Sequence, residues 1–300
     1  MDTEKPAFFL PLHCQLRQHN ASGFPPGLLY LDYQSPADGL ADWAMLLPPS
    51  GDTSRWLVVI HGHGGKGNQL YLRLDIRKYW LPQFLASGYG ILTPNLRGNA
   101  WMGPAAVQDM DALLNFLRQE FSAEQFFFIS GSMGATSNLI YAALRPDNVA
   151  GVVARGAVTD LAAYHAFCRQ DANAPAPPGL PKGSLSRTAA IRSEIADSLE
   201  QHYGGTPAIQ ADLYRTHSPL FNHAGLRGKP IYLIHGTADE LMPVSQSRRF
   251  AGAMAEEENF TYCEIPAGNH DSPLTFGLTE QTPEVIFSHY SVLDWITRRC

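Results

Sequence analysis

The stretch QFFFISGSMGATSNLI, residues 125–140, decides the fold because it joins two kinds of secondary structure through a very short turn. Its first part, 125–129, is a short apolar run without alternation, which is typical of a strand buried on both faces of a sheet. Residues 134–146 follow with a pattern that favours a helix. The sequence therefore predicts a strand, a tight turn and a helix in direct succession.

Ser132 lies at the centre of this turn, where a strand–turn–helix junction exposes a nucleophile above a sheet. Such a turn leaves little room for side chains two residues before and two residues after the nucleophile. Gly134 meets this requirement, whereas Ser130 stands where the usual pattern G-x-S-x-G has its first glycine. A turn that only caps the following helix is the alternative interpretation. We predict that Ser132 is a nucleophile.

The same alternation of elements continues on both sides of this stretch. Residues 28–34 and 40–47 flank the spacer SPADG and predict an antiparallel strand pair, after an irregular arm over residues 1–25. Further buried strands are predicted at 56–60, 89–94, 149–154, 230–234 and 260–265. Predicted helices occupy 68–87 (interrupted by Pro82), 103–121, 186–203, 245–257 and 283–299.

This order of elements predicts an α/β fold: a doubly wound, mostly parallel sheet with an antiparallel N-terminal edge. Residues 161–228 interrupt the alternation with the proline-rich stretch NAPAPPGLPKGS and a polar helix. A long excursion between two strands is typical of an insertion over the sheet, and such insertions often act as lids. We therefore expect one domain over residues 1–300, with 161–228 as a helical, lid-like insertion.

Composition argues against several classes of protein. The chain has 300 residues, a formal net charge of −6 and no stripe of Lys and Arg, so neither a nucleic acid nor an anionic membrane is an expected partner. No apolar run reaches the roughly 18–20 residues that span a bilayer, and the acidic N-terminus lacks the order of a signal peptide. The four cysteines are far apart, which favours free thiols and a cytoplasmic location; they are Cys14, Cys168, Cys263 and Cys300.

A nucleophilic serine needs a histidine as its base. His270 and His289 are the histidines late enough in the chain to follow both the serine and the candidate acids. His289 falls inside a predicted helix, whereas His270 lies in the loop IPAGNHDSP directly after a strand. Loops at the carboxyl ends of strands are where open α/β sheets carry their functional groups. His270 is the predicted base.

The base in turn needs an acid that orients its ring. Asp239 follows a buried strand in KPIYLIHGTADELMPV, and Asp160 follows the preceding strand in ARGAVTDL. Glu240 is next to Asp239 but points elsewhere if the loop is extended, and Asp271 is too close to His270 in sequence to orient its ring easily. The spacing favours Asp239 and leaves Asp160 as its rival.

The stretch VVIHGHGGKGNQ, residues 58–69, admits three kinds of site. Lys66 does not fit the phosphate-binding pattern G-x-x-x-x-G-K-[ST], and no cluster of Cys, His and Asp with zinc-like spacing accompanies His61 and His63, so we predict no metal site. A strand end followed by glycines instead suits backbone N–H groups that stabilise a developing negative charge. His61 is expected to support the loop through its side chain.

The ordered set VVIHGHGG, PNLRGNAWMG, ISGSMGA, GAVTDL, YRTHSPL, IHGTADELMPVSQS and PAGNHD resembles the α/β-hydrolases, and is most similar to the catalytic domains of prolyl-oligopeptidase-like esterases and peptidases. The resemblance covers roughly residues 28–298. It implies a catalytic triad of Ser132, Asp239 and His270 and no cofactor. By the same resemblance, the N–H groups of His63 and Met133 form the oxyanion hole, with Gly64 as the alternative to His63.

The expected activity is hydrolysis of a small carboxylic ester, since the chain has no β-propeller to restrict access. A short-peptide oligopeptidase or acylaminoacyl-type peptidase, with Arg97 or Arg155 as a substrate anchor, is the alternative, although Arg97 is expected to have a structural role. A non-catalytic binding protein on this fold is a third possibility. The sequence does not indicate the oligomeric state. Five large side chains either line an apolar pocket or pack in the core: Trp101, Met102, Tyr164, Phe167 and Tyr203.

Overall fold

The computed structural model describes residues 12–170 and 186–272 of the chain. Four expectations fall wholly or partly outside these residues and stay predictions: the first residues of the irregular arm, the proline-rich stretch 173–184, the helix at 283–299 with His289, and the thiol of Cys300.

A nine-stranded sheet forms the centre of the described structure, in the order β1-β2-β3-β5-β4-β6-β7-β8-β9. The pairs β1–β2, β2–β3 and β3–β5 are antiparallel, and all other pairs are parallel. The strands are β1 (Cys14–Gln18), β2 (Leu29–Gln34), β3 (Ala41–Leu47), β4 (Arg55–Val58), β5 (Gly90–Pro94), β6 (Gln125–Gly131), β7 (Gly151–Arg155), β8 (Ile231–Gly236) and β9 (Phe260–Ile265). The predicted doubly wound sheet with an antiparallel N-terminal edge is confirmed.

The helices connect these strands and cover both faces of the sheet. They are α1 (Gln69–Leu72), α2 (Leu74–Tyr79), α3 (Leu81–Ala86), α4 (Pro104–Phe121), α5 (Met133–Leu144), α6 (Leu161–Arg169), α7 (Arg187–Tyr203), α8 (Ala211–Thr216) and α9 (Val244–Ala253). None of the helices within 12–170 and 186–272 is long and apolar enough to cross a membrane.

The core lies in two layers because side chains of a strand point alternately to opposite faces. Phe126 and Phe128 of β6 pack with α4 and α5 in one layer. Phe127 and Ile129 of the same strand pack with α1, α2 and α3 in the other layer. Continuous apolar runs therefore mark strands that are buried on both sides, as their sequences predicted.

The interpretation of residues 1–25 as an irregular arm is wrong for part of that range. Cys14–Gln18 forms the edge strand β1, which pairs with β2. Its sequence CQLRQ is mostly exposed and lacks apolar alternation, because an edge strand over the solvent buries little of either face. Its main-chain hydrogen bonds, and not its side chains, give it the strand conformation.

The helix predicted over 68–87 consists of three short helices, α1 to α3. The interruption predicted at Pro82 is confirmed to within three residues: α2 ends at Tyr79, and α3 begins at Leu81 with Pro82 in its first turn, where the missing N–H costs nothing. A further break, which the sequence did not predict, lies at Arg73, whose ψ of 116° is extended. The Arg73 side chain bonds to Asp75 and to Asp271, and these contacts hold it across the break.

The described part of the predicted insertion, 161–228, contains the helices α6, α7 and α8 between β7 and β8. Helix α6 packs against α7 and α8, and α7 also contacts α4 of the main layer. The last residue of α7, Tyr203, donates a hydrogen bond from its hydroxyl to the carbonyl of Trp101 over 2.9 Å. The insertion is thus joined to the body of the protein, and its role as a lid stays a prediction.

Candidate active site

Ser132 lies at the junction between β6 and α5, as the sequence predicts. Its backbone has φ 63° and ψ −132°, a conformation that residues other than glycine rarely adopt. Its N–H donates to the carbonyl of Arg155 at the end of β7 over 2.8 Å. The residue is 8% exposed and lines a cavity, so it lies in a recess rather than on an open surface.

Ser130, the departure from the usual turn pattern, has a clear structural place. Its hydroxyl accepts a hydrogen bond from the N–H of Ile60 over 2.9 Å and thereby joins β6 to the end of β4. At Gly134, on the other side of Ser132, an added Cβ would collide with the Ile60 carbonyl. The turn therefore requires glycine at 134, whereas a small hydroxyl side chain fits at 130.

His270 lies in the loop after β9, with both ring nitrogens engaged. Its Nε2 is 2.9 Å from the Ser132 hydroxyl, and its Nδ1 is 2.8 Å from Asp239 Oδ2. Because an ionised carboxylate only accepts, Nδ1 carries the proton and Nε2 accepts from the serine hydroxyl. The structure thus brings Ser132, His270 and Asp239 into one hydrogen-bonded chain.

Asp239, in the loop after β8, is held on both carboxylate oxygens. Its Oδ1 accepts from the N–H groups of Leu241 and Met242 over 2.9 and 2.8 Å. Burial favours a raised pKa for Asp239, but hydrogen bonds from His235 and His270 hold the pKa well below its usual range. The carboxylate is therefore ionised at neutral pH.

Asp160, the rival acid, makes other contacts. Its Oδ1 caps α6 by accepting from the N–H of Ala163 over 3.0 Å, and its Oδ2 pairs with Arg249 over 2.9 Å. Asp271 pairs with Arg73 and does not contact the His270 ring. The geometry favours Asp239 as the orienting acid.

His235 is a site residue that sequence reasoning missed. This fully buried imidazole has its Nε2 3.3 Å from Asp239 Oδ2 and 2.9 Å from the Met242 carbonyl. Both partners accept, so Nε2 carries the proton, and Nδ1 accepts from the Ser247 hydroxyl over 2.7 Å. The only sequence signal was its position four residues before Asp239, which is too weak to predict a contact.

The loop after β4 presents backbone N–H groups beside Ser132. Gly64 N–H donates to the Asn99 side chain over 2.8 Å, and Gly62 N–H donates to Gln69 over 3.0 Å. His63 N–H has no partner among the residues described. Met133 is the first residue of α5, so its N–H has no acceptor within the helix. His63 and Met133 are therefore better placed than Gly64 to bind an oxyanion.

The two imidazole rings of this loop, those of His61 and His63, contact different hydrogen-bond partners. His61 lies between the carbonyls of Gly62 and Asn95, at 2.8 and 3.0 Å, and so supports the loop as expected. His63 Nδ1 accepts from Trp101 Nε1 over 3.3 Å, and burial lowers the pKa of His63 to about 4. Residues 12–170 and 186–272 contain no group of three or more His, Cys, Asp or Glu that could hold a metal ion.

A cavity of about 560 Å³ opens beside Ser132. Apolar side chains line part of its wall, and they are Leu70, Ile76, Trp80, Ile191 and Leu241. Charged side chains line another part, and they are Arg73, Arg155, Arg187 and Asp271. Trp101, Met102, Tyr164 and Tyr203 instead lie in the core, and Phe167 packs against it, so the core interpretation of these five is correct.

Arg97, one of the two arginines considered as substrate anchors, does not line this cavity. Its guanidinium bonds to Asp38 and Asp109 at 2.8 and 2.5 Å, and it also contacts Ser35. It therefore ties down its own loop, as the sequence analysis expected. Arg155, in contrast, borders the cavity next to Ser132.

A family model described as "Serine aminopeptidase, S33" matches residues 52–273, which include all three members of the hydrogen-bonded chain. The chain belongs to this family. It is a serine hydrolase with the α/β-hydrolase fold, and the resemblance drawn from its motifs is confirmed. No curated protein sequence matches the chain.

Solved structures with the same fold include both peptidases and esterases. Acylaminoacyl peptidase from Pyrococcus horikoshii has a TM-score of 0.61 at 17% identity, and the match covers 90% of this chain but 41% of that one. An esterase from Pyrococcus furiosus has a TM-score of 0.60 at 15% identity, covering 90% and 91%. S-formylglutathione hydrolase from Staphylococcus aureus has a TM-score of 0.58 at 14% identity, covering 90% and 98%. At such identities the likeness shows the fold alone.

Proposed function

We propose that this serine hydrolase cleaves small carboxylic esters through an acyl-enzyme intermediate. The observation that carries the proposal is the chain from the Ser132 hydroxyl through His270 to Asp239, with distances of 2.9 and 2.8 Å, at the side of a partly apolar cavity. A hydroxyl, a base and an orienting acid in this arrangement form an activated nucleophile.

The reaction follows from these contacts. The Ser132 oxygen attacks the carbonyl carbon of the ester while its proton passes to His270 Nε2. The N–H groups of His63 and Met133 stabilise the oxyanion, and Asp239 stabilises the imidazolium. His270 gives its proton to the departing alcohol, which leaves the acyl group on Ser132. A water molecule, deprotonated by His270, then attacks the acyl carbon and releases the acid and Ser132.

The charges around the cavity favour a neutral ester over a peptide bound by its free amino group. An α-ammonium group requires a carboxylate partner, and Asp271 is the one carboxylate among the described residues lining this cavity. Asp271 already pairs with Arg73 at 2.9 Å and lies 3.9 Å from Arg155. Both arginines lower the pKa of Asp271 against the effect of burial, so its charge is already compensated.

Amide cleavage is the second candidate, because the matching family model describes a serine aminopeptidase and a structural neighbour is an acylaminoacyl peptidase. The substrate of an acylaminoacyl-type enzyme has a blocked amino group and needs no carboxylate anchor. A non-catalytic protein is less well supported, because all three members of the hydrogen-bonded chain are present and in contact.

Turnover of p-nitrophenyl esters of increasing acyl length and of aminoacyl and acylaminoacyl p-nitroanilides separates these functions. We expect ester turnover that exceeds anilide turnover by at least about a hundredfold in kcat/KM, with none in Ser132→Ala. Anilide turnover of comparable efficiency would establish the peptidase. No turnover of either class by folded wild-type protein would favour the binding protein.

A further inference from the structure

Arg155 contacts both partners of the Ser132–His270 hydrogen bond, but through different groups. It is the last residue of β7 and is paired in register with Gly131 of β6. Its main-chain carbonyl accepts the N–H of Ser132 over 2.8 Å. The backbone of Arg155 therefore helps to fix the strained turn that carries the serine.

The guanidinium of Arg155 reaches the other partner. Nη1 donates to the main-chain carbonyl of His270 over 2.5 Å, and Nη1 lies 3.9 Å from Asp271 Oδ1. Asp271 is also bound by Arg73 at 2.9 Å. The loop that carries His270 is thus held from the side of β7 by Arg155 and from the helix break at Arg73, while Asp239 holds the imidazole ring.

Burial makes this arginine unusual. Arg155 is 4% exposed, and its Nε has no hydrogen-bond partner among the residues that the structure describes. A buried charge that is incompletely paired opposes folding. A neutral residue could fill the same space without this desolvation penalty. The guanidinium is therefore not explained by stability alone.

Gly131 provides an independent observation. A Cβ at this position would collide with the guanidinium of Arg155, including its Nη2 and Cζ atoms. A side chain at position 131 would therefore force the guanidinium of Arg155 to move from its observed place. The absence of a side chain at position 131 thus leaves the space that the guanidinium occupies.

We propose that Arg155 is a positioning residue, which holds the loop of His270 at hydrogen-bonding distance from Ser132 during the reaction. This proposal rests on the proposed function of the site. Displacement of a reacting group by about 1 Å can reduce a rate by about a hundredfold. Loss of the guanidinium should therefore slow acylation of Ser132 more than it weakens substrate binding.

The test compares Arg155→Ala and Arg155→Lys with the wild-type enzyme, using ester turnover and the rate of Ser132 labelling by a fluorophosphonate. We expect Arg155→Ala to lower kcat and the labelling rate by about ten- to a hundredfold, with KM within about threefold. Arg155→Lys should recover part of this loss, because an ammonium can still donate to the His270 carbonyl. Arg145→Met, which removes a half-exposed arginine paired with Asp111, is the control and should keep the wild-type rate.

Gly131→Ala keeps the proposal testable even if Arg155→Ala does not fold. The new methyl group displaces the guanidinium, so labelling should slow in this variant as well. Adding Gly131→Ala to Arg155→Ala should have little further effect, because no guanidinium is left to displace. Independent, additive losses in the two variants would contradict the proposal.

Two other outcomes overturn it in distinguishable ways. If the wild-type enzyme labels at Ser132 and folded Arg155→Ala labels at the same rate, the positioning role is wrong and the proposed function stands. If folded wild-type protein neither labels at Ser132 nor hydrolyses any substrate, both proposals fail together.

Discussion

At the scale of single residues, Asp239 stands out because four hydrogen-bond donors surround its carboxylate. Two backbone N–H groups, from Leu241 and Met242, bind one oxygen, and the rings of His235 and His270 meet the other. These contacts fix the carboxylate in the orientation that selects the tautomer of His270 with its proton on Nδ1. In the proposed reaction, Asp239 acts through geometry as well as charge.

Asp239→Asn tests this role. An amide that presents its NH₂ to His270 selects the wrong tautomer, so we expect kcat to fall by about three to four orders of magnitude with the fold intact. Steady-state ester hydrolysis and circular dichroism measure the two effects. Asp160→Asn is the matched control, because Asp160 has a similar place in the sequence but caps α6, and its kcat should stay within about threefold. Equal losses in both variants would contradict the assignment.

His63 predicts a dependence of stability on pH. Burial lowers the pKa of His63 in the folded state from 6.5 to about 4. Between these values the unfolded chain binds a proton that the folded chain does not, so His63 makes the protein less stable as the pH falls through this window, and has no such effect above it. The free energy of unfolding of wild type minus that of His63→Gln should be constant above about pH 7 and should decrease towards pH 4. Urea denaturation at several pH values measures this difference, and a constant difference would contradict it.

The sequence predicted the residues whose positions follow from strand ends, such as Ser132, Asp239 and His270. It missed His235 and Arg155, whose contacts depend on how loops fold back and on the register between β6 and β7. Arg155 was considered only as a substrate anchor. An arginine at a strand end carries no local signal that its guanidinium will meet a carbonyl 115 positions away.

At the scale of elements, helix α7 supports the loop that leads to α4. The Tyr203 hydroxyl binds the carbonyl of the buried Trp101, and the indole of Trp101 donates to His63. This series of contacts joins the insertion to the loop that supplies the candidate oxyanion hole. Tyr203 does not line the cavity, but these contacts connect it to His63 at the site.

Tyr203→Phe tests this connection. Removing the hydroxyl leaves a buried carbonyl without its donor, which should cost about 1–3 kcal/mol of stability and slow fluorophosphonate labelling several-fold. Tyr214→Phe is a matched control, because its hydroxyl binds the carbonyl of Gly205 over 3.1 Å, away from the site. It should lose less stability, because the Gly205 carbonyl is only partly buried, and should keep its labelling rate. Equal labelling of the two variants would contradict the role of α7.

Secondary-structure elements were predicted well where they are buried on both faces, because burial there requires a continuous run of apolar residues. The central strands are buried on both faces and appear as continuous apolar runs, so their positions were predicted to within about three residues. Strand β1 was missed because its edge position leaves its side chains exposed. The division between α1 and α2 was missed because the Arg73 side chain, at this break, bonds to Asp271, which is 198 positions away.

At the scale of the whole molecule, Arg97 joins the antiparallel edge to the rest of the sheet. It lies in the loop after β5 and bonds to Asp38, in the turn between β2 and β3, and to Asp109 of α4. The Arg97 side chain is 7% exposed, and that of Asp109 is fully buried. Three parts of the molecule therefore depend on one cation.

Arg97→Met should lower the free energy of unfolding by about 3 kcal/mol or more, because it leaves Asp109 buried without its partner. Urea denaturation measures the loss. Arg145→Met removes a half-exposed arginine paired with Asp111 and should cost less than about 1 kcal/mol. Similar losses in the two variants would show that the Arg97 cluster has no special role.

The arrangement of the whole molecule also explains the location of the site. Strands β4 and β6 are neighbours in the middle of the sheet, where the chain order reverses. Ligands of open α/β sheets bind at the carboxyl ends of the strands at such a point. The loop of His63 follows β4 and Ser132 follows β6, so the observed order of strands places these groups side by side.

Mass spectrometry of the protein after reaction with a fluorophosphonate identifies the nucleophile most directly. The assignment of Ser132 as the nucleophile predicts one adduct per chain, on the peptide that contains Ser132, and no adduct in folded Ser132→Ala. It also predicts that Ser130→Ala, which keeps the neighbouring turn residue small, still forms the adduct. An adduct that persists in folded Ser132→Ala, or that maps to another residue in the wild type, would contradict the assignment of Ser132 as the nucleophile.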